Sequence, residues 1–251
     1  MEKELEGRTA LVTGGGRGIG RAVCVRLAQA GARVAINYAA NDEAARETRR
    51  LVEAEGAACT LIKADVSDPD AVRHMVEQAT SALGPIDLLV HSAGIAEAGT
   101  HQEIEFETWR RVMAVNLDGT FLTVMGVKDG MIERGYGRIV CIASIAGLRP
   151  RPTMLAYGTS KAGVIAFARS CSEAFAPQIR INCIAPGLID TDMPAASLSD
   201  AMRQRMVDAT PLRRIGQPEE MAEVALFLLS ERSSFITGQV ISADGGRVTL
   251  P

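Results

Sequence analysis

Apolar residues occur along this chain in two kinds of segment that alternate. Short apolar runs rich in β-branched residues predict strands over 9–13, 33–37, 59–63, 87–91, 138–143, 179–184 and 238–242. Apolar residues at helical spacing predict helices over 19–30, 41–55, 68–83, 106–133, 157–176 and 217–230. A strand and a helix thus follow each other roughly every 25 to 30 residues, as repeated βαβ units require.

The composition of the predicted strands indicates how they pack. They are short and apolar throughout, which is typical of a sheet covered on both faces. Right-handed crossovers then produce one α/β domain over residues 1–251, a doubly wound parallel sheet of about seven strands with helices on both faces. Such folds bind ligands outside the carboxyl ends of the strands. We therefore look for chemistry directly after each predicted strand.

Charge and composition exclude several classes of protein. The 251 residues include 27 Lys and Arg against 30 Asp and Glu, which argues against a nucleic-acid partner. Five cysteines form no CxxC pair and three histidines lie far from them, so we predict no metal site. The first residues contain no secretory signal, and the apolar run 224–229 is too short to span a membrane. A cytoplasmic protein with reduced thiols and no membrane partner is the expectation.

A glycine-rich turn, Thr13-Gly14-Gly15-Gly16-Arg17-Gly18-Ile19-Gly20, joins the first strand to the first helix. Glycines at this place let a pyrophosphate approach the backbone N–H groups at the start of the helix. The spacing is GxxxGxG on Gly14, Gly18 and Gly20 rather than GxGxxG. A tight turn that needs positive φ angles is the alternative interpretation.

The residues at the end of the second strand indicate which cofactor is preferred. In this position an acidic residue would bind the 2′-hydroxyl of an adenosine ribose, but the chain has Asn37 followed by Tyr38. Arg17 can pair with a 2′-phosphate, which favours NADP(H) over NAD(H). Arg17 as a solvated surface residue is the alternative, and the nearby Asp42 and Glu43 leave NAD(H) open.

Candidate catalytic residues follow the fifth predicted strand. Ser144 comes directly after it, and Tyr157 and Lys161 lie four positions apart at the start of a predicted helix, hence on one face. A phenol has a pKa of about 10, and a neighbouring ammonium lowers it toward neutrality. Tyr157 would then exchange a proton with an alcohol or carbonyl. A surface aromatic–lysine pair is the alternative.

Taken together, these motifs resemble the short-chain dehydrogenase/reductase family over essentially the whole chain, from Gly7 to about Gly246. The resemblance implies a Rossmann-type fold and rests on the segments Thr13–Gly20, Asp65-Val66, Ser92-Ala93-Gly94, Asn116–Gly119, Ser144, Tyr157xxxLys161, and Pro186-Gly187 with Thr191. For catalysis it implies Tyr157 as general acid/base, with Lys161 lowering its pKa and binding the nicotinamide ribose. Ser144 would orient the substrate oxygen, and Asn116 would hold a water in a proton relay behind Lys161.

The resemblance also implies a set of cofactor contacts. These are Gly14, Gly16, Arg17, Gly18, Ile19 and Gly20 at the phosphates, Asn37 and Tyr38 at the ribose edge, Asp65 and Val66 beside the adenine, Ser92, Ala93 and Gly94 after the fourth strand, Tyr157 and Lys161, and Pro186, Gly187, Ile189 and Thr191 beside the nicotinamide. The family commonly has Asn-Asn-Ala-Gly after the fourth strand, whereas this chain has His91-Ser92-Ala93-Gly94. Ser92 donates a hydrogen bond with less reach, and His91 is expected to be structural.

Within the family, the segments 17–20, 37–38 and 186–193 resemble most the bacterial 3-oxoacyl-[acyl-carrier-protein] reductases. This implies NADPH-dependent reduction of a 3-oxoacyl thioester, with acyl carrier protein as a potential partner. Arg134 matches one basic position that binds the carrier, but the second is missing near Gln178. Arg149 and Arg151 would attract a phosphorylated or carboxylated substrate tail, or are solvated loop residues.

Other functions stay open at this point. One is an NAD(P)-dependent dehydrogenase of a sugar, polyol or cyclic alcohol; another is a dinucleotide-binding sensor or scaffold without turnover. A methyltransferase would explain the glycine turn but not Tyr157 and Lys161. The segment 188–212, with Met193, Leu198, Met202 and Met206, is expected to close over the substrate or to pack as an amphipathic helix. Family members imply a homotetramer.

Overall fold

A computed structural model describes residues 3–191 and 200–248 of the chain. Seven parallel strands form one sheet in the order β3-β2-β1-β4-β5-β6-β7. The strands are β1 (Thr9–Thr13), β2 (Arg33–Tyr38), β3 (Cys59–Lys63), β4 (Leu88–His91), β5 (Gly137–Ile142), β6 (Ile179–Pro186) and β7 (Val240–Ala243). The predicted doubly wound parallel sheet is therefore confirmed, with each strand within about two residues of its predicted limits.

Helices connect successive strands. They are α1 (Gly18–Gln29), α2 (Asp42–Ala54), α3 (Pro69–Leu83), α4 (Phe106–Met113), α5 (Gly119–Glu133), α6 (Leu155–Ala174), α7 (Asp200–Asp208) and α8 (Pro218–Leu229). The predicted single helix over 106–133 is interrupted by a π-helical turn, Ala114–Asp118, between α4 and α5. The helix α7 lies in the predicted lid segment and carries Met202 and Met206, whereas Met193 and Leu198 lie outside the described residues.

Apolar side chains cover both faces of the sheet. One core cluster joins the sheet to α1 and α8, and the other joins it to α3, α5 and α6. The strand order reverses between β1 and β4, and the loops there diverge to opposite faces. A crevice consequently opens at the carboxyl ends of these two strands, where the candidate residues lie.

The described residues contain neither a membrane-spanning helix nor a metal-binding cluster. No helix in the ranges 3–191 and 200–248 is long and apolar enough to cross a membrane. The same residues contain no cluster of three His, Cys, Asp or Glu side chains that could hold a metal ion.

Candidate active site

The glycine turn after β1 has the backbone conformation that only glycine adopts easily. Gly14 and Gly18 have φ angles of +63° and +53°. A Cβ atom on Gly20 would lie 2.2 Å from the carbonyl oxygen of Gly14, so the first turn of α1 packs directly against the loop. These positive φ angles are compatible with both interpretations of the turn, the phosphate cradle and the plain tight turn. The first N–H groups of α1 have no partner within the helix and suit phosphate oxygens, which remains a prediction.

Asn37 supports this turn from the end of β2. Its backbone carbonyl accepts from the Gly15 amide at 2.8 Å, and its side-chain oxygen accepts from the Gly14 amide at 3.4 Å. The side-chain nitrogen donates to the carbonyl of Ala64 at 3.0 Å, and only 1% of Asn37 is exposed. The side-chain amide thus binds backbone atoms. Asn37 affects the ribose edge chiefly because it is neutral, where a carboxylate would carry a negative charge.

The charges at this edge are mostly positive. Arg17 is exposed at the start of α1 and lines the crevice, together with Tyr38. The Asp42 carboxylate lies 3.2 Å from Lys63 Nζ and accepts a hydrogen bond from the Tyr38 hydroxyl. The Tyr38 and Lys63 hydrogen bonds lower the pKa of Asp42, with a smaller contribution from the nearby Arg46.

Sequence reasoning missed Lys63 and Arg46. The neutralising role of Lys63 follows from sheet register, since Tyr38 pairs with Lys63 across β2 and β3. That register cannot be read from the sequence of either strand alone. Asp42 is paired with Lys63 and does not line the crevice, and the preference for NADP(H) over NAD(H) stays a prediction.

His91 lies beneath the crevice and holds the loop after β4. The Thr13 hydroxyl accepts from the amides of Ser92 and Ala93, each at 3.2 Å, and lies 3.1 Å from His91 Nδ1. Because this hydroxyl accepts twice, it donates to Nδ1, and His91 therefore carries its proton on Nε2. Burial, followed by the charge of Lys161, lowers the pKa of His91 to about 3. His91 is consequently neutral, in keeping with the structural role expected of it.

Ser144, Tyr157 and Lys161 face the same crevice as the glycine turn. Tyr157 and Lys161 occupy consecutive turns of α6, as their spacing predicted. Lys161 Nζ donates to the carbonyl of Ile142 at 2.8 Å and lies 5.8 Å from the centre of the Tyr157 ring. The Ser144 hydroxyl accepts from the Ala146 amide at 3.1 Å and interacts with the Tyr157 hydroxyl, whose pKa it lowers.

The protonation of these groups bears on one expectation. Burial raises the pKa of Tyr157 above its usual value of 10, and the Ser144 hydroxyl lowers it only in part. Lys161 donates to the Ile142 carbonyl and lies 5.8 Å from the centre of the Tyr157 ring, so its expected lowering of the Tyr157 pKa stays a prediction. Burial also lowers the pKa of Lys161 to about 8. At neutral pH the phenol therefore keeps its proton, and Lys161 is charged.

Asn116 lies in the π-helical turn and is fully buried. Its amide nitrogen donates to the carbonyl of Ile95 at 2.9 Å and to Ser160 Oγ at 3.0 Å, and its oxygen accepts from the Ile95 amide at 2.8 Å. A Cβ on Gly94 would touch both Asn116 Oδ1, at 3.2 Å, and Lys161 Nζ, at 3.4 Å. Asn116 thus clamps the loop after β4 beside Lys161, and its relay role stays a prediction.

The remaining predicted contacts enclose one cleft of about 630 Å³. Every predicted cofactor residue except Gly187 lines it; unpredicted lining residues are Ala39, Ala40, Asn41, Ala44, Ala64, Ser67, Ile95, Arg111, Ala114, Val115, Ile142 and Ala143. Gly187 packs instead against Asp244, whose Cα would lie 2.7 Å from an added Cβ. Thr191 closes over the glycine turn, with its methyl group 3.3 Å from the Cβ position of Gly18.

This donor set fits a nicotinamide dinucleotide. The glycine turn, whose amides suit phosphate oxygens, and the hydroxyls of Ser144 and Tyr157, which suit proton exchange, line the same cleft. Of the residues that sequence reasoning missed, most flank a motif in the chain. Arg111 is the exception, because it comes from α4 and only tertiary packing brings it to the cleft.

Comparisons with known proteins agree with this geometry. Residues 14–247 match the family model described as Enoyl-(Acyl carrier protein) reductase. The chain is 37% identical over 247 residues to the 3-oxoacyl-[acyl-carrier-protein] reductase FabG of Aquifex aeolicus (strain VF5), covering 98% of this chain and 99% of that protein. It is 39% identical over 241 residues to the acetoacetyl-CoA reductase of Rhizobium meliloti (strain 1021), covering 96% and 98% of the two chains.

A solved structure shows the same architecture. A 7α-hydroxysteroid dehydrogenase, in complex with NADH and 7-oxo glycochenodeoxycholic acid, superposes with a TM-score of 0.94 at 31% identity. The match covers 99% of this chain and 97% of that one. Proteins with this fold and comparable identity thus include enzymes named for thioester and for steroid substrates.

Proposed function

Because the chain belongs to the short-chain dehydrogenase/reductase family, we propose that it is an NADPH-dependent reductase that converts a ketone, most specifically a 3-oxoacyl thioester, into a secondary alcohol. The observation that carries this proposal is that the hydroxyls of Ser144 and Tyr157 line the same cleft as Lys161 and the glycine turn. A sensor or scaffold without turnover would not require this arrangement.

The residues of the cleft account for the proton side of the reaction. The Ser144 and Tyr157 hydroxyls would both donate to the carbonyl oxygen of a bound ketone. A reduced nicotinamide bound in the cleft would supply the hydride to the carbonyl carbon. Tyr157 Oη then releases its proton to the oxygen and becomes a phenolate, which the Lys161 ammonium and the Ser144 hydroxyl stabilise. The high pKa of Tyr157 suits this direction, since reduction needs the protonated phenol at its start.

Two hydroxyls that converge on one oxygen support reduction of a C=O bond. The family model takes its description from enoyl reduction, in which hydrogen is added to carbon atoms, whereas the relatives' names describe ketone substrates. The similarity to a hydroxysteroid dehydrogenase keeps an NAD(P)-dependent dehydrogenase of a cyclic alcohol, sugar or polyol as the second candidate.

A substrate panel tests this proposal. Oxidation of NADPH, followed by absorbance at 340 nm, is expected with acetoacetyl-CoA, with lower rates for cyclic ketones and keto sugars and none for an enoyl thioester. The same panel with acetoacetyl-acyl carrier protein tests the carrier as partner. Faster turnover of a cyclic ketone or a keto sugar than of every thioester would favour the second candidate.

The proposed preference for NADPH rests on the charges around Tyr38. Arg17 lines the cleft without an ion pair among the described residues, and Asp42 is neutralised by Lys63. A 2′-phosphate would therefore meet an unpaired guanidinium at Arg17, while Asp42 lies outside the cleft and the Asp65 carboxylate, which lines it, accepts from Ser67.

Replacing Arg17 by glutamine should weaken NADPH binding selectively. A charge-assisted hydrogen bond of about 1.5–3 kcal/mol corresponds to a rise of roughly ten- to hundredfold in the KM for NADPH. The KM for NADH should stay within about twofold, because NADH lacks the phosphate. Steady-state kinetics with both cofactors measure this, with Arg50→Gln on the exposed face of α2 as the matched control. An equal change for both cofactors would contradict the assignment.

Partners and assembly belong to the proposal as well. Arg134, which matches a carrier-binding position, donates to the Ile86 carbonyl at 2.6 Å and lies 3.9 Å from Asp87. Because these contacts already occupy the Arg134 side chain, they favour a coenzyme A thioester over a carrier-protein thioester as the substrate. We further propose a homotetramer in the cytoplasm, as the family resemblance implies; the exposed ring of Phe121 on α5, 5.8 Å from the half-buried ring of Phe167 on α6, supports a buried interface there.

A further inference from the structure

Three arginines meet at the carboxyl edge of the sheet, outside the dinucleotide cleft. Arg149 and Arg151 lie on the loop between β5 and α6, the loop that joins Ser144 to Tyr157. Arg247 comes from the turn after β7. The charges of Arg149 and Arg247 both act on Arg151, whose pKa they lower after the larger effect of its burial. Arg149 likewise lowers the pKa of Arg247 after burial, so the three guanidiniums lie within electrostatic reach of one another.

Both chain segments that carry these arginines, the loop between β5 and α6 and the turn after β7, contact residues next to the active site. The Arg149 amide donates to the carbonyl of Ile145 at 3.1 Å, which keeps the arginine one short turn from Ser144. The turn that carries Arg247 begins at Asp244, which packs against Gly187 directly after β6. The two segments that carry the cluster therefore begin next to Ser144 and Gly187.

These arginines lack the partners that other shielded arginines have. Arg149 Nε and Arg247 Nε and Nη1 are shielded from solvent and have no hydrogen-bond partner among the described residues. Arg180 Nε likewise has no hydrogen-bond partner, but the two other nitrogens of that guanidinium donate to several protein oxygens. Within 3–191 and 200–248 no hydrogen bond or ion pair is found for the side chains of Arg149, Arg151 or Arg247.

Asp244 is the carboxylate that attracts Arg247. Its two oxygens are already engaged, since Oδ1 accepts from the Gly246 amide at 2.9 Å and Oδ2 from the Val248 amide at 2.7 Å. It offsets part of the charge of one guanidinium and leaves the others uncompensated. The three side chains are half-buried, and shielded nitrogen atoms of Arg149 and Arg247 have no partner among the described residues. An oxyanion is the ligand that such guanidiniums match best.

The cluster is separate from the cofactor site. None of the three arginines lines the cleft that contains the glycine turn, and the candidate for a 2′-phosphate, Arg17, lies at the other end of that cleft. A phosphate of the dinucleotide therefore does not explain the three charges.

We propose that Arg149, Arg151 and Arg247 form an anion subsite that binds a carboxylate or phosphate group carried by the ketone substrate. This inference rests on the proposed ketone reduction and adds to it a substrate class: ketones with an oxyanion at some distance from the reacting carbonyl. The phosphate of a coenzyme A or carrier-protein arm and the carboxylate of a keto acid are two sources of the same chemistry.

Kinetics with matched ketones test the subsite. The substrates are ethyl acetoacetate, which is neutral, keto acids of increasing chain length, and acetoacetyl-CoA. Arg151→Gln and Arg247→Gln should each raise the KM for the anionic ketones roughly tenfold or more, as expected for loss of a charge-assisted hydrogen bond. The KM values for ethyl acetoacetate and NADPH should stay within about twofold. The carboxylate is the source if the keto acids respond, and the phosphate if acetoacetyl-CoA alone responds.

Controls separate the subsite from the reductase activity itself. Arg73→Gln removes an exposed arginine on α3 that pairs with Asp70 at 2.9 Å, and it should change none of these constants. If the wild type reduces no ketone, the proposed function fails; if it reduces them and the arginine variants affect neutral and anionic ketones equally, only the subsite is overturned. An altered sedimentation coefficient with unchanged KM values would assign the cluster to a contact between copies and also overturn it.

A second measurement tests the subsite in the wild type and therefore does not depend on whether the variants fold. In the wild type, the KM for the responding anionic ketone should rise several-fold between about 0.05 and 0.5 M NaCl, while that for ethyl acetoacetate stays constant. Parallel salt responses for both substrates would contradict the subsite. Arg151→Lys, which keeps the charge and loses the planar fork, should lie between the wild type and Arg151→Gln.

Discussion

Replacing Tyr157 by phenylalanine is expected to lower kcat by about 10²–10⁴-fold while leaving NADPH binding unchanged. The substitution removes one oxygen atom, the one that interacts with Ser144 and would release the proton to the substrate. The ring still fills the same space beside Lys161, so the cleft keeps its shape. Turnover is measured by NADPH oxidation, and cofactor affinity by titration of the bound nicotinamide's fluorescence.

Tyr136→Phe is the matched control for this experiment. Tyr136 lies away from the cleft, between Arg8 and Arg138, whose guanidiniums are 3.7 and 4.1 Å from its ring centre. Its hydroxyl contacts Glu231 at 3.3 Å and no active-site residue. Its loss should leave kcat unchanged. Turnover retained in Tyr157→Phe at near wild-type rates would refute the assignment of Tyr157 as the proton donor.

Replacing Lys161 by methionine is expected to impair catalysis and to stabilise the fold. Catalysis should fall by about a hundredfold or more, because the buried phenolate formed at Tyr157 loses its compensating charge. Stability should rise because a lysine that is 4% exposed must stay charged at pH 7 in the wild type. Methionine has a similar length and needs no hydration.

The pH dependence distinguishes this effect from ordinary repacking. The pKa of Lys161 is lowered from 10.5 to about 8, so the folded state binds the proton less tightly than the unfolded chain. A difference of about 2.5 units costs the folded wild type roughly 3 kcal/mol at and below pH 7, less what the Ile142 hydrogen bond returns. As pH rises through 8 toward 10.5, Lys161 loses its proton in the folded state first. The free energy of unfolding of the wild type should therefore increase over that interval.

Urea unfolding of both proteins at pH 7 and 9.5 measures this difference. The advantage of Lys161→Met should be largest at pH 7 and shrink at pH 9.5, whereas Lys3→Met, at an exposed position, should match the wild type at both pH values. A variant less stable than the wild type at pH 7 would show that the contact with Ile142 outweighs burial of the charge. The rate of ketone reduction should also fall above about pH 8, where Lys161 loses its charge.

The elements of the sheet were predictable because their signals are local. The strands β1 and β3 have the limits that their apolar runs indicate, and Asp68 and Pro69 mark the start of α3 by capping. The π-helical turn at Asn116 was missed, since it depends on the amide bonding Ile95 and Ser160, which come from other parts of the chain.

The candidate site shows the same division between local and distant effects. Glycine spacing and the interval between Tyr157 and Lys161 act within single turns of backbone, so they indicated a phosphate cradle and a proton-transferring pair directly. The pairing of Asp42 with Lys63 depends on the register of two strands. Likewise, Arg247 joins Arg149 only because β7 lies beside β6 in the sheet.

The sequence by itself determined the order of strands and helices, the glycine turn and the candidate reacting side chains, because these depend on residues close together in the chain. Only the tertiary structure decided the protonation of Tyr157, Lys161 and His91. A pKa depends on how much water and which charges surround a group, and those surroundings come from segments far apart in sequence. For this reason the catalytic residues were predictable while the direction of the pKa shift of Tyr157 was not.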